Sequence, residues 1–260
     1  MSRMTRPAAS RDALRYRGRR SGGSLTGNLR VLLARSVSFW RDQAYASYWQ
    51  LRHLAGGWDA SSLQSGHLAP VLVLPGVYET WQFLRPAAEM LHRAGHPVHV
   101  VPDLGYNLVS IPATAARAHA LLVERDLREV IIVAHSKGGV VGKHMMVVEE
   151  ADEARGADAP QGRISRLIAV NSPFAGSRHA RYISRGPLRD FAPTEETILK
   201  LAANAAANSR ITSIYSTFDP HIPEGSRLAG ARNIEVPVGG HFRLLGMRQV
   251  LDLIESAARN

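Results

Sequence analysis

Six stretches of the chain are dominated by apolar, mostly β-branched residues, and each ends at a polar, proline- or glycine-containing turn: 70–74, 97–101, 130–134, 164–170, 211–215 and 233–237. Runs this short and this rich in Val and Ile predict strands, buried on both faces where no polar residue interrupts. Between them apolar residues recur at three- and four-residue spacing, which predicts helices over 79–94, 111–122, 140–150, 194–208 and 242–257. In the first of these, Trp81, Leu84, Ala88 and Leu91 share one side, and Gly95 stands just past the end, where helices commonly stop. Strands alternating with helices predict an α/β domain over 57–260, with a mostly parallel sheet of about six to seven strands covered by helices. One interval is out of rhythm. Residues 173–208 form a longer connection than strand and helix usually need, read either as a small lid insertion or as a crossover helix with a long entry loop.

Ahead of the first strand, Leu29, Leu33, Val37, Trp40, Ala44, Tyr48 and Leu51 fall on one face of an amphipathic helical segment over 25–56. Two readings stand. The stripe packs on the domain, which is preferred because most such helices are docked; or it enters a membrane surface while neighbouring arginines meet anionic head groups.

Composition matters once it is located. The net charge is +10, but residues 1–52 hold eleven Arg against Asp12 and Asp42, so the rest of the chain is nearly neutral. The folded part is therefore not a basic surface, and no nucleic-acid partner is expected. Residues 1–24, rich in Arg, Ser and Gly, read as a disordered basic arm that cannot bury enough surface to offset chain entropy. Absence of cysteine removes disulfides, thiolate catalysis and Cys-ligated metal. No run of about 18 apolar residues is present, so no spanning segment is expected. Arg19-Arg20 is followed by a polar, arginine-interrupted stretch without a small-residue cleavage site, so a cytoplasmic location is expected, with peripheral membrane contact through residues 1–54 left open.

The candidate chemistry lies where predicted strands end. After 130–134 come His135, Ser136, Lys137, Gly138 and Gly139, then helix-compatible residues. A strand that reverses into a helix this quickly needs small residues beside the turning one, and Ala134 and Gly138 supply them, leaving Ser136 at the tip. A serine hydroxyl needs a base within reach and a group that orients the base. Asp219 follows the strand at 211–215, and His241, after two glycines, follows the strand at 233–237. Three parallel strands would bring Ser136, Asp219 and His241 to one sheet edge. His221 is a competing base, only two residues after the acid. Two backbone amides could hold an oxyanion: that of Lys137, next to the nucleophile, and that of Val77, in the Pro75-Gly76-Val77 turn. The Lys137 side chain is read as structural, because that position requires only the amide.

On these residues the chain resembles the α/β-hydrolase superfamily, within it the bacterial lipase/esterase group. That group carries an Ala-His-Ser-x-Gly-Gly elbow, here Ala134 to Gly139, and after the next strand a Thr-Pro-x-x-Gly-[Ser/Thr] segment, here Ser172 to Ser177. Ser…Asp…His is also the chain order of that superfamily. Pro75 stands where the group usually has His, and the first antiparallel strands of larger relatives are not evident. The resemblance covers about 70–254 and implies an α/β-hydrolase fold and a carboxylic ester hydrolase acting on ester or lipid small molecules, with no cofactor. With the apolar residues Phe174, Tyr182, Ile183, Leu188 and Phe191 as pocket or lid candidates, it favours acyl-chain substrates. Two alternatives remain open: the same triad serving a thioester or an alcohol acceptor, and a membrane- or partner-binding protein with a vestigial triad.

Overall fold

In the computed structural model the described residues are 25–56, 59–154, 162–178, 180, 186 and 188–259. The arm 1–24 and the pocket candidates Tyr182 and Ile183 lie outside them. The chain divides into two units, residues 1–36 and 37–260. The described residues of the first are helical and belong to α1, Leu25–Leu54; among the described residues every strand lies in the second unit.

Chain order after α1 is β1 (Val71–Leu74), α2 (Arg85–Arg93), β2 (Val98–Val100), α3 (Ile111–Glu124), β3 (Val130–His135), α4 (Lys137–Ala154), β4 (Ile164–Val170), α5 (Glu196–Ala203), β5 (Ile211–Phe218), β6 (Arg232–Gly239) and α6 (Arg248–Arg259). The sheet has six strands in the order β2-β1-β3-β4-β5-β6, and every pairing is parallel. The chain therefore reverses its direction of progress between β1 and β3, the position at which such sheets open a crevice at their carboxyl edge.

Side chains alternate between two cores, as strand geometry requires. Leu72, Leu74, Ile132 and Ala134 pack with α3 and α4 through Ala118, Leu122, Val141 and Met145. Val71, Val73, Ile131 and Val133 pack on the other face with α2 and α6 through Ala88, Leu91, Val250 and Ile254. Phe174, Phe191, Ile198 and Leu201, from the interval that breaks the rhythm, are buried in the first of these cores.

Three helices are shorter than the periodicity predicts. The first begins as a 3-10 turn, Trp81–Leu84, and becomes α-helical at Arg85, where Pro86 in the first turn is tolerated because the N–H it lacks would have no intrahelical acceptor. The stretch at 194–208 divides into α5 and a 3-10 turn at Ala206–Arg210, and the last into a turn at Arg243–Gly246 and α6.

The larger correction concerns α1. The part of the helix within the second unit, 37–54, is docked, but not by its apolar stripe: Val37, Trp40, Ala44, Tyr48 and Leu51 are exposed. The buried side is the opposite one, where Asp42 is fully buried, Trp49 packs into the α2/α6 core, and Ser38 and Tyr45 donate to the carbonyls of Gly239 and Phe83. Hydrogen bonds to backbone groups distant along the chain select this face, and hydrophobic periodicity carries no record of them.

Candidate active site

Ser136 follows β3 directly and has φ 50°, a left-handed conformation that a serine adopts only where its surroundings impose it. They do: its N–H donates to the carbonyl of Val170 in β4 (3.0 Å), and α4 starts at the next residue. The turn is so tight that a Cβ on Gly138 would come closer than 3.0 Å to the carbonyl oxygen of Leu74, which is why only glycine fits there.

Asp219 and His241, from the ends of β5 and β6, meet in a buried bond: His241 Nδ1–H donates to Asp219 Oδ2 over 2.6 Å. The other carboxylate oxygen accepts the backbone N–H groups of His221 (2.8 Å) and Ile222 (3.2 Å). Burial would push the Asp219 carboxyl up, but the charge and hydrogen bond of His241 outweigh it and hold the carboxyl below its usual range. Burial would likewise depress His241; the Asp219 carboxylate prevails and raises the imidazole above its ordinary value. His221 is pushed down, chiefly by burial and by His241. Its ring centroid lies 4.8 Å from that of His241, while its backbone N–H serves Asp219.

The turn carrying His241 is held from four sides. Asn171, at φ 43° after β4, donates through Nδ2 to the carbonyls of Gly240 (3.1 Å) and His241 (2.9 Å), and accepts from the N–H of Ser216 (2.9 Å). Ser216 Oγ donates to Gly240 O (2.9 Å). From α1, Asp42 Oδ1 accepts the N–H groups of Phe242 (2.7 Å) and Arg243 (2.9 Å). From β3, His135 Nε2 donates to the carbonyl of His241 (2.9 Å).

The turn after β1 is fixed in the same manner. The N–H of Gly76 donates to Glu79 Oε2 (2.9 Å), and that of Tyr78, at φ 61°, donates to Tyr106 O (2.8 Å). The amide between them belongs to Val77, which borders the same cavity as Ser136. Asn107 Nδ2 donates to Pro75 O (2.8 Å), and Gln50 of α1 to Tyr78 O (2.7 Å). Lys137 contributes its amide at the first position of α4, where no intrahelical acceptor exists. Its ammonium is buried and donates to the carbonyls of Asn107 and Val109; burial, partly offset by Asp190, pushes it down to about 8. The side chain thus ties the elbow to the loop that braces the turn after β1.

Glu79 is the site residue that the sequence analysis passed over, placed there at the start of a helix. The carboxylate reaches across the sheet edge to His135 Nδ1 (2.8 Å). An acid three residues past Gly76 and a histidine before Ser136 are the signals that could have paired them. Among the described residues, Glu79, His135 and His241 form a group whose ligand-capable atoms lie within 4.8 Å of one another. Both ring nitrogens of His135 face acceptors and His241 Nδ1 faces Asp219, so the group is already satisfied by hydrogen bonds.

Ser136, His241 and His221 border one cavity of about 340 Å³, whose apolar wall includes Val77, Leu188 and Phe191. Ala46 and Gln50 of α1 also line it. Phe174 packs in the core and is not part of that wall.

No family model and no curated protein matches the chain. Solved structures do. A metagenome-derived lipolytic enzyme superposes with TM-score 0.54 at 15% identity, over 75% of this chain and 95% of that one. The mature form of a Bacillus licheniformis lipase gives 0.53 at 15%, over 75% and 92%. An extracellular α/β-hydrolase of a Paenibacillus species gives 0.51 at 16%, over 74% and 100%. At this identity the likeness is one of fold alone: the chain has an α/β-hydrolase fold.

Proposed function

We propose, from the α/β-hydrolase fold and the residues at its carboxyl edge, that this chain is a serine hydrolase of carboxylic esters with acyl-chain substrates. The observation that carries the reading is the buried 2.6 Å bond between His241 and Asp219, in a cavity that Ser136 and His241 both line. In this reading His241 Nε2 takes the hydroxyl proton of Ser136 as Oγ attacks the acyl carbonyl carbon. Asp219 keeps Nδ1–H oriented and balances the imidazolium charge. The amides of Val77 and Lys137 donate to the oxyanion; being backbone groups held by their loops, they need no reorganisation when the charge develops. The tetrahedral species collapses, the bond to the alcohol oxygen breaks, and the alcohol leaves with the proton from His241. Water then gives a proton to His241 as its oxygen attacks the acyl carbonyl carbon, the bond from that carbon to Ser136 Oγ breaks, His241 returns the proton to Oγ, and the acid leaves.

The acyl-chain preference is supported by the wall of Val77, Leu188 and Phe191, since each buried methylene contributes about 0.8 kcal/mol. Two structural neighbours, a lipolytic enzyme and a lipase, agree with it. The test is incubation with a fluorophosphonate followed by intact-mass measurement and peptide mapping. One adduct on Ser136 is expected, lost in Ser136→Ala together with hydrolysis of p-nitrophenyl butyrate. Undiminished hydrolysis by folded Ser136→Ala overturns the reading.

A further inference from the structure

A helix docked by one face ordinarily turns charged and polar residues outward. The outer face of α1 does the reverse: Val37, Trp40, Tyr48 and Leu51 are 54%, 70%, 53% and 66% exposed, and Ala44 between them is exposed too. These positions lie opposite Ser38, Asp42, Tyr45 and Trp49, so the domain cannot bury both sets at once. Trp and Tyr on such a face suit the boundary between head groups and acyl chains, where an amphipathic ring has an apolar body and a polar tip in the right media. Exposed Arg41 and, three turns on, the half-buried Arg52 lie along one flank of this stripe.

Two occupants compete for the face: a second copy of the chain, or lipid. Charge discriminates between them. Residues 1–52 hold eleven Arg against two Asp, so pairing two copies through this helix would bring like charges together, whereas anionic head groups complement them. Position agrees. On the same helix Ala46 and Gln50 line the cavity, and Gln50 is bonded to Tyr78, which also lines it and is 49% exposed.

We propose that the outer face of α1 docks this protein on an anionic phospholipid surface, with Trp40, Tyr48 and Leu51 entering the head-group boundary beside the cavity mouth. Among the described residues no helix is long and apolar enough to cross a membrane, and the contact proposed is peripheral. It is independent of the ester chemistry and goes beyond it.

The experiment is flotation of the full chain with vesicles of phosphatidylcholine, with and without phosphatidylglycerol, alongside tryptophan emission. Binding to the anionic vesicles, a blue shift, and weakening with added salt are expected. The exposed double substitution Trp40→Ser/Leu51→Ser should lower vesicle affinity about tenfold or more, with circular dichroism and hydrolysis of a soluble ester unchanged. Failure of the native chain to float with anionic vesicles overturns the proposal. Equal binding by the double variant does so as well, since the arginines alone would then be responsible. A concentration-dependent dimer that the variant dissolves assigns the face to a second copy and also overturns it. Soluble-ester hydrolysis on the same samples tests the site and flotation tests the helix, so the two failures are distinct.

Discussion

His135 Nδ1 lies 2.8 Å from both carboxylate oxygens of Glu79, and the other nitrogen of the ring donates to the backbone carbonyl of His241. Both nitrogens of the ring thus face oxygen acceptors. Glu79 also accepts the N–H of Gly76. A single buried pair therefore joins the turn that carries the Val77 amide to the turn that carries His241, through the residue that precedes Ser136.

Glu79→Gln should disturb both turns. Breaking a buried pair by removing one charge costs about 3 kcal/mol or more, so the unfolding midpoint in urea should fall. If the pair positions the site, kcat should drop by about 10-fold or more in protein that is still fully folded, with KM little changed. An unaltered kcat beside lowered stability would reduce Glu79 to a purely structural role.

Asp42→Ala removes the acceptor for the Phe242 and Arg243 amides. Loss of a helix-terminus cap of this kind costs about 1–2 kcal/mol. Because the capped turn begins beside His241, kcat should fall with stability, and Asp42→Asn, which keeps an acceptor oxygen, should recover part of both. Chemical denaturation and steady-state kinetics on the three proteins check this.

The pH profile follows from the sign of the His241 shift. A general base must be neutral, and the Asp219 carboxylate holds His241 above its ordinary value, so kcat/KM should fall as pH drops through that raised pKa. In Asp219→Asn the raising charge is gone and burial remains. The acid limb should then move to lower pH while the rate falls on the order of 10⁴-fold. A limb that stays in place would mean that another group titrates.

Gly138→Ala tests the closeness of α4 to β1. The new methyl would meet the Leu74 carbonyl inside van der Waals distance, and a backbone atom cannot rotate away. Destabilisation of about 2–3 kcal/mol or more is expected, read as a lower thermal midpoint.

What the amino-acid order determined by itself was whatever rests on local pattern. Apolar runs bounded by turns define the six strands; alternation with helices makes the sheet parallel; small residues around Ser136 make the elbow; and strand ends put Asp219 and His241 on one edge. Each follows from steric and burial rules that act over a few residues. Tertiary structure alone decided the rest. The apolar stripe of α1 is plain in the sequence, but its outward direction was set by Ser38, Asp42 and Tyr45 meeting backbone groups as far as about 200 residues away. Glu79 and Asp42 look like ordinary surface acids in the sequence; folding buried them because a donor waited for each, His135 for one and two amides beside His241 for the other. Hydrogen-bond partners distant along the chain leave no periodic trace, because their spacing is a property of the fold and of no single element.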